Sequence, residues 1–261
     1  MTTEELRESL LAAPKNGYAT LTAAQREEMN AYCKRYAAFL DACKTEREAT
    51  AWAVKVAEEH GFRPLVPGME LKPGDKVYRN NREKAIMLAV IGSESLNEGS
   101  NICAAHVDAP RMDLKPTPLY EDTEIAYFKT HYYGGIKKYQ WPTVPLALHG
   151  VVCRKDGTKV TITIGEDDND PVLVVSDLLI HLSADQMKKT LAEGIVGEQL
   201  NVILGTEPLE GEGADLVKLH VMKLLNEKYG IIEQDFASAE LVIVPAGKCR
   251  EVGLDRSLLG A

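Results

Sequence analysis

Long hydrophobic runs are missing from this 261-residue sequence. No stretch approaches the roughly 20 uninterrupted apolar residues of a membrane helix, so no membrane partner is expected. The opening Met1-Thr2-Thr3-Glu4-Glu5-Leu6 carries acids where a secretory signal would carry a basic and then an apolar stretch, which makes the cytoplasm the expected address. Positive charge is also short: 30 Lys and Arg stand against 39 Asp and Glu, a net charge of -9. A broad phosphate-binding face is thereby excluded, and no nucleic acid partner is expected. The five cysteines (Cys33, Cys43, Cys103, Cys153, Cys249) include no CxxC pair. Their odd number and wide spacing fit reduced thiols, mostly in the core, better than a disulfide frame or a structural zinc knuckle. Internal repeats and low-complexity tracts are absent. What remains, 45% hydrophobic and 26% charged, is an ordinary globular composition. The length suits one large domain or two small ones.

Thr22-Ala23-Ala24-Gln25 and Thr45-Glu46-Arg47-Glu48 have the capping-box pattern, in which a Thr hydroxyl and the side chain three residues on satisfy free amides at a helix start. Apolar residues then recur at helical spacing, from Met29 to Leu40 and from Ala49 to Ala57, until Gly61 stops the second run. Lys72-Pro73-Gly74-Asp75 predicts a turn, Lys76 to Arg79 a strand, and Asn80-Asn81 a bend into Ala85 to Ile91. The runs Met87 to Ile91, Ile102 to Ala105 and Leu241 to Val244 have no polar alternation, which predicts strands buried on both faces in a sheet between helices. From about Lys115 to Ala237 the texture differs. Leu146 to Cys153 and Lys159 to Ile164 flank the hairpin signature Lys155-Asp156-Gly157. One amphipathic helix is expected from about Ala214 to Lys228, and the first sheet should resume at Leu241.

The strongest local signal for chemistry is Ala104-Ala105-His106-Val107-Asp108-Ala109-Pro110, a His and an Asp two apart where an apolar run ends. At the strand period of two both side chains project to one side, so the imidazole can bind a metal while the carboxylate steadies it from behind. Strand ends are also where open α/β sheets place ligands. The same pair equally describes a hydrogen-bonded strand terminus, so the pattern alone does not decide.

His106-Val107-Asp108-Ala109-Pro110-Arg111 is followed in order by Tyr133-Gly134-Gly135-Ile136, by Asp177 to Leu182, and by Gly197-Glu198-Gln199-Leu200-Asn201-Val202. Together with Pro73 to Lys76 and Arg79-Asn80 upstream, these motifs resemble the aspartyl aminopeptidase and vacuolar aminopeptidase I family of di-zinc exopeptidases, from about Asn16 onward. The resemblance implies two divalent metals, expected to be zinc, held by a His, a bridging Asp, a Glu pair, a further Asp and a late His. The two cations would polarise the scissile carbonyl and activate a water, with one Glu as general base. Of these ligands only the first maps onto this chain, as His106, with Asp108 matching the acid behind it. The family's bridging Asp lies just beyond the stretch matching Val252 to Ala261, and its remaining ligands lie further on. The polypeptide is therefore expected to correspond to the N-terminal part of a member. The matching His of the family's inserted domain reaches the neighbouring subunit's active site, which implies that role for His181 and self-association into a homo-oligomer. Trp141-Pro142-Thr143-Val144-Pro145 departs from the family, whose better-known members have an aromatic followed by an acidic and basic pair. A preference for acidic N-terminal residues is accordingly not carried over.

Other groups have plainer readings. His181 follows Leu178-Leu179-Ile180, where a lone His is usually structural, and His220 on the amphipathic helix fits packing. Tyr132, Tyr133, Lys137, Lys138, Tyr139 and Trp141 could stack bases, but with this net charge an interface or loop core fits better. Glu210-Gly211-Glu212-Gly213 lacks the ending of a phosphate loop. Glu251 and Asp255 fit a solvated surface.

The expected architecture is α/β: a zinc-exopeptidase-like sheet between helices, formed by residues 1–114 with 238–261 and incomplete, interrupted by an inserted β-rich oligomerisation domain over 115–237. The expected activity is metal-dependent removal of N-terminal residues from peptide substrates. The alternative is a non-catalytic relative serving as an assembly or peptide-binding module.

Overall fold

The computed structural model describes all 261 residues. Four helices lead: α1 (Thr3–Leu10), α2 (Gly17–Thr20), α3 (Ala23–Ala42) and α4 (Glu46–Glu59). Both expected capping boxes form, with Thr22 accepting from the Gln25 amide and Thr45 from the Glu48 amide. α3 carries a ladder of rings, Tyr32 on Tyr36 on Phe39, and Phe39 meets the edge of Trp52 on α4.

β1 (Arg63–Pro64), β2 (Lys76–Asn81) and β3 (Ala85–Val90) form a three-stranded sheet in that order. The β2–β3 turn places Arg82 and Glu83 at left-handed φ of 57° and 64°, and the Asn80 side chain accepts from the Glu83 amide. α4 packs on β2 and β3. This sheet is not the doubly covered one expected from its sequence. Met87, Leu88 and Val90 are exposed, Met87 by 71%, because β3 is an edge strand and nothing in the chain covers these residues. Ile102 to Ala105 forms no strand, and Ile102 is 85% exposed.

Six further strands form one antiparallel sheet. β4 (Arg111–Asp122), β5 (Ile125–Tyr133), β6 (Leu146–Cys153), β7 (Lys159–Ile164), β8 (Val202–Gly205) and β9 (Ala239–Pro245) take the order β7-β6-β9-β4-β5-β8. The β6–β7 hairpin forms as predicted, with Gly157 at positive φ and Asp156 accepting from Thr158. The run Leu241 to Val244 is buried as expected, but it lies in β9, between β6 and β4. The first sheet therefore does not resume there, and the β-rich sheet reaches from Arg111 to Pro245. Hydrogen-bond register, not local pattern, makes this assignment: Leu146 to Val152 pairs with Pro245 to Ala239 throughout.

Leu241 and Ile243 point into the main core beneath α6 (Leu216–Tyr229), while Val242 and Val244 pack with Ala147 on the opposite face. The expected helix forms as α6, with a buried stripe of Val217, Val221 and Leu225, while Leu219 and Leu224 stay exposed. A short α5 (Leu191–Gly194) precedes β8, and a β10 (Arg250–Val252) and β11 (Leu258–Gly260) hairpin ends the chain. The three-stranded unit meets the larger sheet largely through ion pairs: Arg111 with Glu46 at 3.1 Å, Arg47 with Glu240 at 2.6 Å, Lys44 with Glu166 at 2.9 Å.

Candidate metal centre

His106 and Asp108 lie in the irregular segment that joins the two sheets, directly before β4. The expected strand end is absent, yet the two side chains meet. His106 Nδ1 is 3.0 Å from Asp108 Oδ1 and 2.8 Å from the Asp108 carbonyl oxygen. Both neighbours are acceptors, so Nδ1 carries a proton, and in the neutral ring the lone pair then falls on Nε2. The His106 side chain is 79% exposed, which leaves Nε2 open to solvent. An imidazole whose other nitrogen is steadied by a carboxylate is the donor that zinc takes.

Asp108 has a second partner that the sequence did not announce. The Tyr133 hydroxyl donates to its Oδ2 at 2.6 Å. That hydrogen bond, against a small opposing desolvation, holds the Asp108 carboxyl below the usual Asp range, and it pushes the Tyr133 phenol up. Tyr133 ends β5 directly opposite Arg111, the first residue of β4, and the guanidinium lies 4.4 Å from the ring centroid. Gly134, at φ 74° against Pro110, turns the chain away immediately after the ring. Arg111 is buried and donates to Glu46 at 3.1 and 3.3 Å and to Asp113 at 2.8 Å. Burial opposes its charge, but these carboxylates outweigh burial and raise its pKa. Glu46 is the first residue of α4, where an acid also suits the helix dipole. In the sequence the only signal for Arg111 and Tyr133 is their place in the His106 to Arg111 and Tyr133 to Ile136 motifs.

His181 is not brought to this pair by any contact. It stands exposed in a turn at Ile180 to Leu182, beside exposed Leu178, Leu179, Ile180 and Leu182. His220 Nδ1 lies 2.8 Å from the Glu207 carbonyl oxygen, consistent with packing. Nowhere do three or more His, Cys, Asp or Glu side chains form a group that could hold a metal. No helix is long and apolar enough to cross a membrane.

An antiparallel sheet joined to a smaller helix-covered sheet, with a carboxylate-backed imidazole in the segment between them, defines a mixed α/β protein. Residues 39–261 match the family model described as aminopeptidase I zinc metalloprotease (M18), and the chain belongs to that family. A probable M18 family aminopeptidase 1 from Clostridium acetobutylicum is 52% identical over 255 residues, covering 96% of this chain and 55% of the relative. The crystal structure of an M18 family aminopeptidase from Thermotoga maritima superposes with a TM-score of 0.89 at 45% identity, covering 96% of this chain and 54% of the other. A dodecamer of mApe1 from S. cerevisiae shares the fold at 15% identity, with a TM-score of 0.65 over 89% of this chain and 52% of the other. The chain spans about half the length of the relatives it matches.

Proposed function

We propose that this chain carries the His106 half-site of a zinc aminopeptidase that removes N-terminal residues from peptides. The observation that carries the reading is the His106–Asp108 pair, with Nδ1 engaged and Nε2 presented to solvent. Its donor chemistry fits zinc, the metal in the family's description. His106 would bind one metal through Nε2, and Asp108 would keep the ring in the metal-binding tautomer. When bound, a pair of such ions supplies Lewis acidity toward the scissile carbonyl and acidifies water. Two metals at roughly 3.5 to 4 Å need more ligands than one imidazole. Relatives nearly twice as long, and the bare side chains of β3, support placing the remaining ligands on further polypeptide that packs against this sheet.

The apolar surface around His181, with Leu179 70% exposed, supports self-association of this segment with a second copy, where His181 would face the neighbour's substrate. The β-rich unit that would carry this interface runs over 111–245, wider than the 115–237 expected from composition.

The test is reconstitution. The chain, combined with the part of the Clostridium relative that it does not match, should release N-terminal residues from peptides in the presence of zinc. The chain alone should be inactive, and His106→Ala should abolish the activity of the combination. A complex that forms but never turns over would favour an assembly or peptide-binding role. Turnover that is indifferent to His106→Ala would sink the assignment.

A further inference from the structure

We propose that Tyr133 is the positioning residue of the His106–Asp108 pair, and that Arg111 and Glu46 form the mount that holds it. The inference rests on the reading of His106 as a metal ligand and deepens it. Asp108 is partly exposed and sits in a segment without regular structure, so no helix or strand fixes which way its carboxylate faces. Tyr133 supplies that constraint. Its hydroxyl occupies Oδ2 at 2.6 Å, the short distance of a hydrogen bond to a charged acceptor, and leaves Oδ1 for His106 Nδ1 at 3.0 Å. A tyrosine hydroxyl has only one proton to donate, so it cannot serve both oxygens, and the carboxylate is divided between two partners. Oδ1 thereby joins the Asp108 carbonyl oxygen, 2.8 Å from Nδ1, as a second acceptor, and the two together favour the neutral ring with its lone pair on Nε2.

The ring of Tyr133 is in turn held by β-sheet register. Opposite residues of an antiparallel pair lie close enough for side chains to interact, and Arg111 is the residue opposite Tyr133. Its guanidinium, 4.4 Å from the ring centroid, is itself immobilised by Glu46 and Asp113. Glu46 comes from α4 of the smaller unit, so the chain of contacts from Glu46 to His106 crosses the junction between the two sheets. Orientation of the ligand is thereby tied to how the units sit together, and it is in place before any metal arrives.

Nitrogen-15 NMR of the metal-free chain reads the tautomer of His106 directly. The wild type should show the Nδ1–H form, and Tyr133→Phe, which keeps the ring over Arg111 and removes only the hydroxyl, should convert it to a mixture of both forms. Zinc affinity of the chain combined with the part of the Clostridium relative that it does not match, measured by competition with a chromophoric chelator, should fall about tenfold or more in Tyr133→Phe, as expected for a partner behind a metal-bound His. The thermal midpoint should stay put, since an exposed hydroxyl is lost. Arg111→Lys, which keeps charge but loses the planar stack, should move the tautomer in the same direction; should it fail to fold, Tyr133→Phe decides alone. An unchanged tautomer population in Tyr133→Phe overturns the positioning role. Zinc binding by that combination that is equal with the wild type and with His106→Ala overturns the metal reading instead, and the tautomer result still decides the positioning.

Discussion

Two carboxylates, Glu48 from α4 and Glu166 from the turn after β7, close on the ring nitrogens of buried His149 at 2.7 and 2.9 Å. Both nitrogens face acceptors, so the ring is fully bonded only as the imidazolium. Burial favours the neutral ring, yet Glu48 and then Glu166 outweigh it and raise the His149 pKa; burial likewise opposes Glu48, but the bond from His149 holds it low. Lys44 also pairs with Glu166, and burial first, then Glu48, pushes the nearby Cys43 thiol up to about 12, so the thiol does not compete for protons near neutrality. The His149 contribution is therefore complete below its ordinary value near 6.5 and is lost as pH rises through its higher folded value. The Glu48 contribution is present above its ordinary 4.5 and is lost as pH falls through its lower folded value. Thermal unfolding followed by circular dichroism should show maximal stability between these limits and a decline on the alkaline side. His149→Ala should cost about 3 kcal/mol, the usual penalty for stranding buried charge, and should flatten the alkaline decline. None of this was legible in Leu146 to Cys153, where His149 looked like one more strand residue. The same holds for Glu46 and Tyr133, whose partners are 65 and 25 residues away along the chain.

Helix starts and hairpins were the elements most legible in the sequence, because their determinants lie within four residues. The Thr22 and Thr45 boxes and the Asp156-Gly157 turn formed where their residues predicted. The pairing of β6 with β9 has a determinant the pattern did not reveal. Gly150 sits at φ 138°, and a Cβ there would lie 1.9 Å from the Glu240 carbonyl oxygen. Gly157, also at positive φ, has open space around it. Gly150→Ala must push β6 off the central strand and should cost at least about 3 kcal/mol. Gly157→Ala pays only for the left-handed conformation, about 1 to 2 kcal/mol. Urea unfolding of the two variants checks the difference. Equal losses would show that the β6–β9 contact yields more easily than its geometry implies.

At the scale of the whole molecule, the position of β9 decides what can fold alone. A fragment over 115–237 lacks the strand that joins β6 to β4, and with it Leu241 and Ile243 of the core. A fragment over 111–245 keeps all six strands and α6. The longer fragment should be soluble with cooperative unfolding, and the shorter one should show poor amide-exchange protection. A well-folded 115–237 would mean that the two halves of the sheet are stable apart.

By itself the sequence determined the α/β class, the helix caps, the β6–β7 hairpin and the family to which the chain belongs, since each rests on contiguous residues or on motifs in order. It placed His106 beside Asp108 because two residues of chain cannot separate them far. Tertiary structure alone decided which sheet receives Leu241 to Val244. An unbroken apolar run is compatible with any strand that has cover on each side, and it does not name the neighbours that would supply the cover. Tertiary structure also decided that Met87 and Ile102 stay bare, because burial belongs to a pair of surfaces in contact and no element of this chain packs over these two residues.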